Sequence, residues 1–457
     1  MIKKLLTLVM AIAMILVFAA CTTDDTPPTA APPQQQDAGD ATVADDTQDT
    51  PPAVDGDAEP VTIRVFSNLP DRTAGQGLIE QMLIDSFMAQ NPHVTIQVEA
   101  LHDEEYQIMF RAFAAASDMP DFVSGWGFPA FLDDVIEAGL LAELNPADFA
   151  DYGFIDGTMD GFSRDGRLYG LPRNTDVMAF FYNQAIFDEH GWTVPETFDE
   201  LIALSQDIRA AGLQPVSTNG ADGWPLNLML NAIFAQVYGP GVMDRQIDFI
   251  NNQDWNHPDF YRAATIFQDA ALAGMFANGF ETADYGTAQS LFTSGQAAIY
   301  YMGGWETGMA MNMDFDETFR ENLRAFNLPQ IEGGRGTPLD IQAWNGGGYF
   351  VSADSPVRDY ALQLLAYFFR PDNWNRLTWE HGVTMSAQDF SAHLTGDETP
   401  VQLQFIEFFT GANSVSGTSH NDLGSADFKV RSERAIVELA IGTLTPAQFI
   451  EELSAAS

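Results

Sequence analysis

The sequence predicts an α/β protein on three observations. Strands alternate with helices from residue 61 onward, one strand is apolar without interruption, and about 400 residues remain after a leader and a polar linker, enough for two packed lobes. Val61, Ile63 and Val65 alternate with Thr62 and Arg64, the period of a strand over 61–66. An amphipathic segment, 78–90, follows and stops at Asn91-Pro92. Residues 94–98 read as the next strand, a helical stretch runs on to Ala116, 121–124 form a short apolar strand, and a helix covers 129–139. This alternation argues for mostly parallel sheets with helices on both faces.

Further along, 177–182 is continuously apolar, as a strand buried on both faces requires. Thr197-Phe198-Asp199-Glu200 reads as a capping box opening a helix to Ala211, ended by Gly212. Thr445-Pro446-Ala447-Gln448 repeats that logic near the C-terminus, with Pro446 at the first helical position. The sequence contains neither a repeat of solenoid period nor a coiled-coil heptad.

The N-terminus predicts export. Lys3 and Lys4 precede an apolar run over 5–18, then Ala19, Ala20 and Cys21, the pattern of a secretory signal over 1–20. The run is shorter than the about 20 residues of a membrane span. Cleavage before Cys21 leaves a thiol for lipid attachment, and VFAAC resembles the lipobox of bacterial lipoproteins, with Phe18 where that family usually carries Leu. The alternative is a plain signal followed by a chance cysteine. Cys21 is the only cysteine, which excludes internal disulfides and CxxC chemistry. Residues 21–60 hold no basic residue and no aromatic, so they read as a disordered acidic tether between lipid and domain.

The formal charge is −44, and removal of Lys3 and Lys4 with the signal takes it to −46. Such a surface repels nucleic acid and anionic lipid, so no nucleic-acid partner is expected, and membrane contact only through the lipid anchor. Lys429 is the only lysine after the signal. Adaptation to salt or alkali and simple lineage composition explain that acidity equally well.

Several segments in order carry a resemblance: SFMAQNPHVTIQVEA (86–100), AAASDMPDFVSGW (114–126), EAGLLAELN (137–145), DGRLYGLPRNTDVMAFFYNQAIFDEHGWTVPETFDEL (165–201), FTSGQAAIYYMGGW (292–305) and AFNLPQIEGG (325–334). In order and spacing they resemble the bacterial extracellular solute-binding protein family 1, the sugar-binding lipoproteins of ABC importers of maltose-binding-protein type. The resemblance implies the two-lobe periplasmic-binding-protein type II fold, with each lobe a mostly parallel sheet flanked by helices and hinge strands crossing between them. It places lobe 1 at 61–174 and 326–345, and lobe 2 at 175–325 and 346–457. It also implies a monomer that captures a sugar or oligosaccharide and hands it to the transmembrane permease subunits. The location implied is the outer face of the cytoplasmic membrane in a Gram-positive-type envelope. Asp121 in MPDF is a hallmark of the family and reads as structural.

A sugar offers apolar C–H faces and hydroxyl edges, so its site needs flat aromatics and fixed polar groups. Trp305 follows Gly303-Gly304 after the strand 297–301, where glycines leave the indole free; the family often carries a stacking aromatic there, and the alternative is a core tryptophan. Asp176 stands four residues after Pro172 and six before Tyr182, the spacing of a ligand-contacting carboxylate in the family, against a solvated loop acid. Arg173 either donates to sugar oxygens or pairs with Asp176. Asn68 and Trp126 sit at carboxyl ends of strands, where open sheets bind ligands; a turn residue and lobe packing are their alternatives. Asp222 and Trp224 in NGADGWPL resemble a cleft-facing segment, against a helix cap and a buried anchor. Trp344 and Asn345 precede Gly346-Gly347-Gly348, a run serving the hinge, the sugar or both. Lys429 falls near a family segment that reaches the cleft.

No catalysis, cofactor or metal is expected. The chain contains no GxSxG, HExxH or EF-hand loop, and no acidic cluster has calcium spacing. A secreted carbohydrate hydrolase using paired carboxylates, a receptor for a membrane sensor, and a binder of another small polar solute remain the competing readings.

Overall fold

The computed structural model describes residues 59–383 and 385–457, and the signal, Cys21 and the acidic tether up to residue 58 lie outside the described residues. The alternation read from residue 61 onward builds the first sheet. Strand Val61–Ser67 pairs in parallel with Val94–Ala100 on one side and Phe122–Trp126 on the other. Helices Gly75–Gln90 and Asp103–Ala116 make the connections, as parallel neighbours require. Strand Gly347–Val351 then lies antiparallel to 122–126, and Gly170–Pro172 completes the sheet. Ile63, Val65, Phe66, Phe122, Tyr349 and Phe368 share the core of this half. Each such side chain withdrawn from water contributes roughly 1.5–3 kcal/mol before entropy is counted.

Strand Thr175–Asn183 is buried at all nine residues and centres the second sheet. Its apolar continuity has a direct cause: Met178, Phe180 and Tyr182 face one hydrophobic cluster, while Val177, Ala179 and Phe181 face another. Strands Ala297–Gly303 and Leu323–Phe326 flank it antiparallel, Ala343–Asn345 pairs antiparallel with its start, and Gln214–Ser217 runs parallel to 297–303. The sheets are therefore mixed, with antiparallel pairing wherever a strand that passes between the halves joins its neighbours.

Both capping boxes form. Thr197 accepts from the Glu200 amide while Glu200 reaches back, and Thr445 and Gln448 do the same. A third box, Thr399 with Gln402, opens helix Pro400–Thr410 and was not read from the sequence. Among the described residues, no helix is long and apolar enough to cross a membrane.

The crossings differ from the expected boundaries. The chain leaves the first sheet after Pro172 and enters the second at Thr175. Residues 326–345 do not return to the first half: Leu323–Phe326 pairs with 175–183, and Phe326 stacks on Phe180 at 5.2 Å between centroids. The chain enters the first half only at Gly347, where Tyr349, Phe350 and Val351 join its core, followed by helix Arg358–Phe369. It is back in the second half by helix 400–410, whose Val401 and Phe405 pack there. The glycine run thus marks a real crossing in the opposite direction, because a glycine run signals close backbone approach but carries no information about which core its neighbours join.

Candidate functional site

A cavity of about 270 Å³ opens between the two halves. Trp305, Asp176, Trp126, Asn68, Arg173, Trp224, Trp344 and Lys429 all line it, so eight residues singled out from the sequence come together. Asp222 and Asn345 do not. Asp222 ends the short turn Gly220–Asp222, and its carboxylate accepts from the Asn219 amide instead of facing the cavity. Asn345 follows Trp344 on a strand, so its side chain points the other way, and its amide donates to the Gly157 carbonyl at 3.0 Å.

The second half supplies an aromatic wall. Trp224 and Trp305 have centroids 6.0 Å apart, and Trp305 and Trp344 lie 6.2 Å apart and nearly perpendicular. Gly303 is required beside this wall, since a Cβ there would fall inside the Trp305 ring. From the first half, Trp126 stacks on Phe128 at 6.1 Å and meets the edge of Phe131 at 5.3 Å. Its position at the end of strand 122–126 is the strand-end placement read from the sequence.

Polar groups are fixed around these rings. Ser124 Oγ and an Arg173 guanidinium N–H both donate to Asn68 Oδ1, at 2.9 and 3.1 Å. Arg173, 4% exposed, lies 5.7 Å from the Tyr349 ring centroid. Asp176 is 5% exposed and accepts from the Asn174 amide. Burial pushes its carboxyl up to about 7 against the opposing pull of Arg173 and the Asn174 bond. The Gly346-Gly347 pair passes tightly between these groups: Cβ atoms added there would collide with Asp176 and with the Arg173 guanidinium.

Several cavity residues carried no signal in the sequence. Asp103, at the start of helix 103–116, accepts from the Trp224 indole N–H at 3.0 Å across the cleft. Burial raises its carboxyl to about 6, with Asp222 adding to the rise and Lys429 opposing it. His102, Tyr285, Gln289 and Glu306 also line the cavity; only the adjacency of Glu306 to Trp305 in sequence pointed to any of them. Lys429, 4% exposed, pairs with Asp422 at 2.7 Å and with Glu433, and sits 5.4 Å from the Phe128 ring centroid of the opposite half.

Asp71, Asp103, Asp176, Glu306 and Asp422 face the cavity against only Arg173 and Lys429, and Lys429 is already paired. Burial raises Asp103, Asp176 and Glu306 towards their protonated forms, so the lining offers donors and acceptors with little free charge, which suits an uncharged occupant rich in hydroxyls. The described residues hold no cluster of His, Cys, Asp and Glu that could bind a metal ion.

Known proteins agree with this architecture. The family model described as bacterial extracellular solute-binding protein matches residues 67–373. A maltotriose-binding protein of Pyrococcus abyssi is 26% identical over 238 residues, 52% of this chain and 48% of its own, so the match spans about half of that relative's length. A galactooligosaccharide-binding protein of Bacillus subtilis is 22% identical over 332 residues, covering 69% of this chain and 72% of its own. Among solved structures, one from work on xylan utilization by Caldanaerobius polysaccharolyticus superposes with a TM-score of 0.78 at 22% identity, covering 86% of this chain and 99% of the other. A chitin oligosaccharide binding protein superposes with a TM-score of 0.77 at 22% identity, covering 87% and 98%. At that identity these structures speak for the fold. With two α/β halves around one cleft and a family match over most of its length, the chain belongs to the bacterial extracellular solute-binding protein family.

Proposed function

We propose that the protein is the substrate-binding component of an ABC importer, anchored by lipid at Cys21 outside the cell, which captures an uncharged sugar or oligosaccharide and delivers it to the permease. One observation carries the reading: a wall of three indoles and buried, hydrogen-bonded polar groups line the same cleft. Indole faces cover sugar C–H surfaces, and Asp103, Asp176 and Arg173 are placed for hydroxyl edges. Relatives named for binding maltotriose and galactooligosaccharides support the same ligand class.

The mechanism follows from contacts that span the cleft. Open and closed forms interconvert, a sugar touching both halves favours the closed one, and the permease accepts that form. No bond is broken. The protein works as a monomer, and its acidic surface confines membrane contact to the anchor.

Calorimetry and thermal unfolding against a panel of neutral mono- and oligosaccharides test the reading. At least one neutral carbohydrate is expected to bind and raise the melting temperature. Failure of every carbohydrate to bind removes the sugar reading, and shortened products after prolonged incubation replace it with a hydrolase. Lipid labelling that is lost in Cys21→Ala tests the anchor.

A further inference from the structure

Trp305 has a polar edge as well as an apolar face, and the structure shows what holds that edge. Its indole N–H donates to the Tyr285 hydroxyl at 2.9 Å. Tyr285 in turn donates its only proton to Glu306. An indole N–H can only donate and a phenolic hydroxyl has one hydrogen to give, so Tyr285 receives the indole on a lone pair and its proton is left for Glu306. Such a chain also makes Tyr285 a better acceptor for the indole than an isolated hydroxyl would be.

Glu306 is itself immobilised. It is 4% exposed, takes the Gln289 amide on both oxygens at 2.9 and 3.2 Å, and accepts from Tyr300 at 3.3 Å. Tyr285 opens the helix Tyr285–Thr293, whose cap Asp284 accepts from the Thr287 amide at 2.7 Å. The relay thus ends on a regular element on one side and on the cavity wall on the other.

Resting on the sugar-binding reading above, we infer that Tyr285 and Glu306 are positioning residues that set the plane of the Trp305 indole against the bound ligand. The ring packs against Gly303 and is bounded by Trp224 and Trp344, and to these non-directional contacts the hydrogen-bonded edge adds a directional one. Tyr300 bonds the same acid from outside the cavity and has no bond to Trp305, so it serves as the comparison for a lost hydroxyl one step removed from the indole.

The test compares Tyr285→Phe, Glu306→Gln and Tyr300→Phe with the unaltered protein in two measurements. The first is the indole N–H resonance of Trp305 without ligand, assigned among the eight tryptophans by its disappearance in Trp305→Phe. The second is affinity for whichever neutral sugar the unaltered protein binds. Tyr285→Phe is expected to move the resonance towards that of an unbonded indole and to weaken binding about three- to tenfold, the range of one lost hydrogen bond. Glu306→Gln moves both in the same direction by less, and Tyr300→Phe, which reaches Trp305 only through the atoms behind it, moves both least.

An unmoved resonance in Tyr285→Phe and Glu306→Gln, or an equal movement in Tyr300→Phe, overturns the inference. Should Tyr285→Phe fail to fold, Glu306→Gln decides. If no sugar binds the unaltered protein, the proposed function fails, while the ligand-free resonance still decides the relay.

Discussion

Trp224 and Asp103 join the two halves directly, indole N–H to carboxylate oxygen, at 3.0 Å across the cleft. This bond exists only when the halves are together. Its contribution therefore belongs to closure and not to the stability of either half.

Trp224→Phe should keep most of the apolar contact and lose that bond. The expected result is an affinity about three- to tenfold weaker, with scattering in solution showing a larger open fraction at equal ligand concentration. An unchanged affinity and shape would mean that the bond does not hold the closed form.

Trp305→Ala removes the centre of the indole wall. A buried aromatic platform of this kind is worth about 1–3 kcal/mol of binding, or roughly five- to 150-fold in affinity. Calorimetry on a folded variant checks it, and unaltered affinity would remove Trp305 from the site.

Stability should depend on pH in a definite direction. Burial holds Asp176 at about 7 and Asp103 at about 6, and burial likewise lifts Glu433 to about 7. The native state keeps protons on these groups that the unfolded chain releases at the ordinary carboxylate value of about 4. Their contribution is therefore largest on the acid side of that window and declines as pH rises towards 7, opposed in part by His420, which burial lowers to about 3 so that it loses stability as pH falls below the ordinary imidazole value of about 6.5. The melting temperature should be lower at pH 8 than at pH 5, and Asp176→Asn should reduce the difference. A melting temperature that climbs through this window would contradict the assignment.

Lys429 is a buried cation between Asp422 and Glu433. Burial disfavours its charge, but the two carboxylates more than reverse this and raise its affinity for the proton. Lys429→Met would leave both acids buried without a cation, a loss of about 3–5 kcal/mol. Denaturant unfolding should show a lower midpoint, with part of the loss recovered at acid pH as Glu433 takes up a proton. An unchanged midpoint would show that the acids do not need their cation.

Much of this protein follows from neighbours along the chain. The strand 61–67, the doubly buried strand 175–183 and the capping boxes at Thr197 and Thr445 are set by side-chain period and by bonds spanning three residues. The strand-end tryptophans were legible because a glycine pair or the end of an apolar run marks where a chain turns towards a ligand, whereas Asp176 was legible through the spacing it shares with the family it resembles.

What lies across space was not. Asn345 and Trp344 are adjacent in sequence, yet strand alternation sends only Trp344 into the cavity. Nothing near Trp224 announces Asp103, 121 residues earlier, and nothing near Trp305 announces Tyr285, 20 residues earlier on another element. The crossing at the glycine run was visible, but its direction was settled by which core could bury Tyr349, Phe350 and Val351. Local propensity and capping act over one or two turns of chain, so the sequence alone determined the elements and the residue types the cleft requires. Pairing between distant elements depends on which apolar faces cover one another, so only the tertiary structure decided the partners across the cleft.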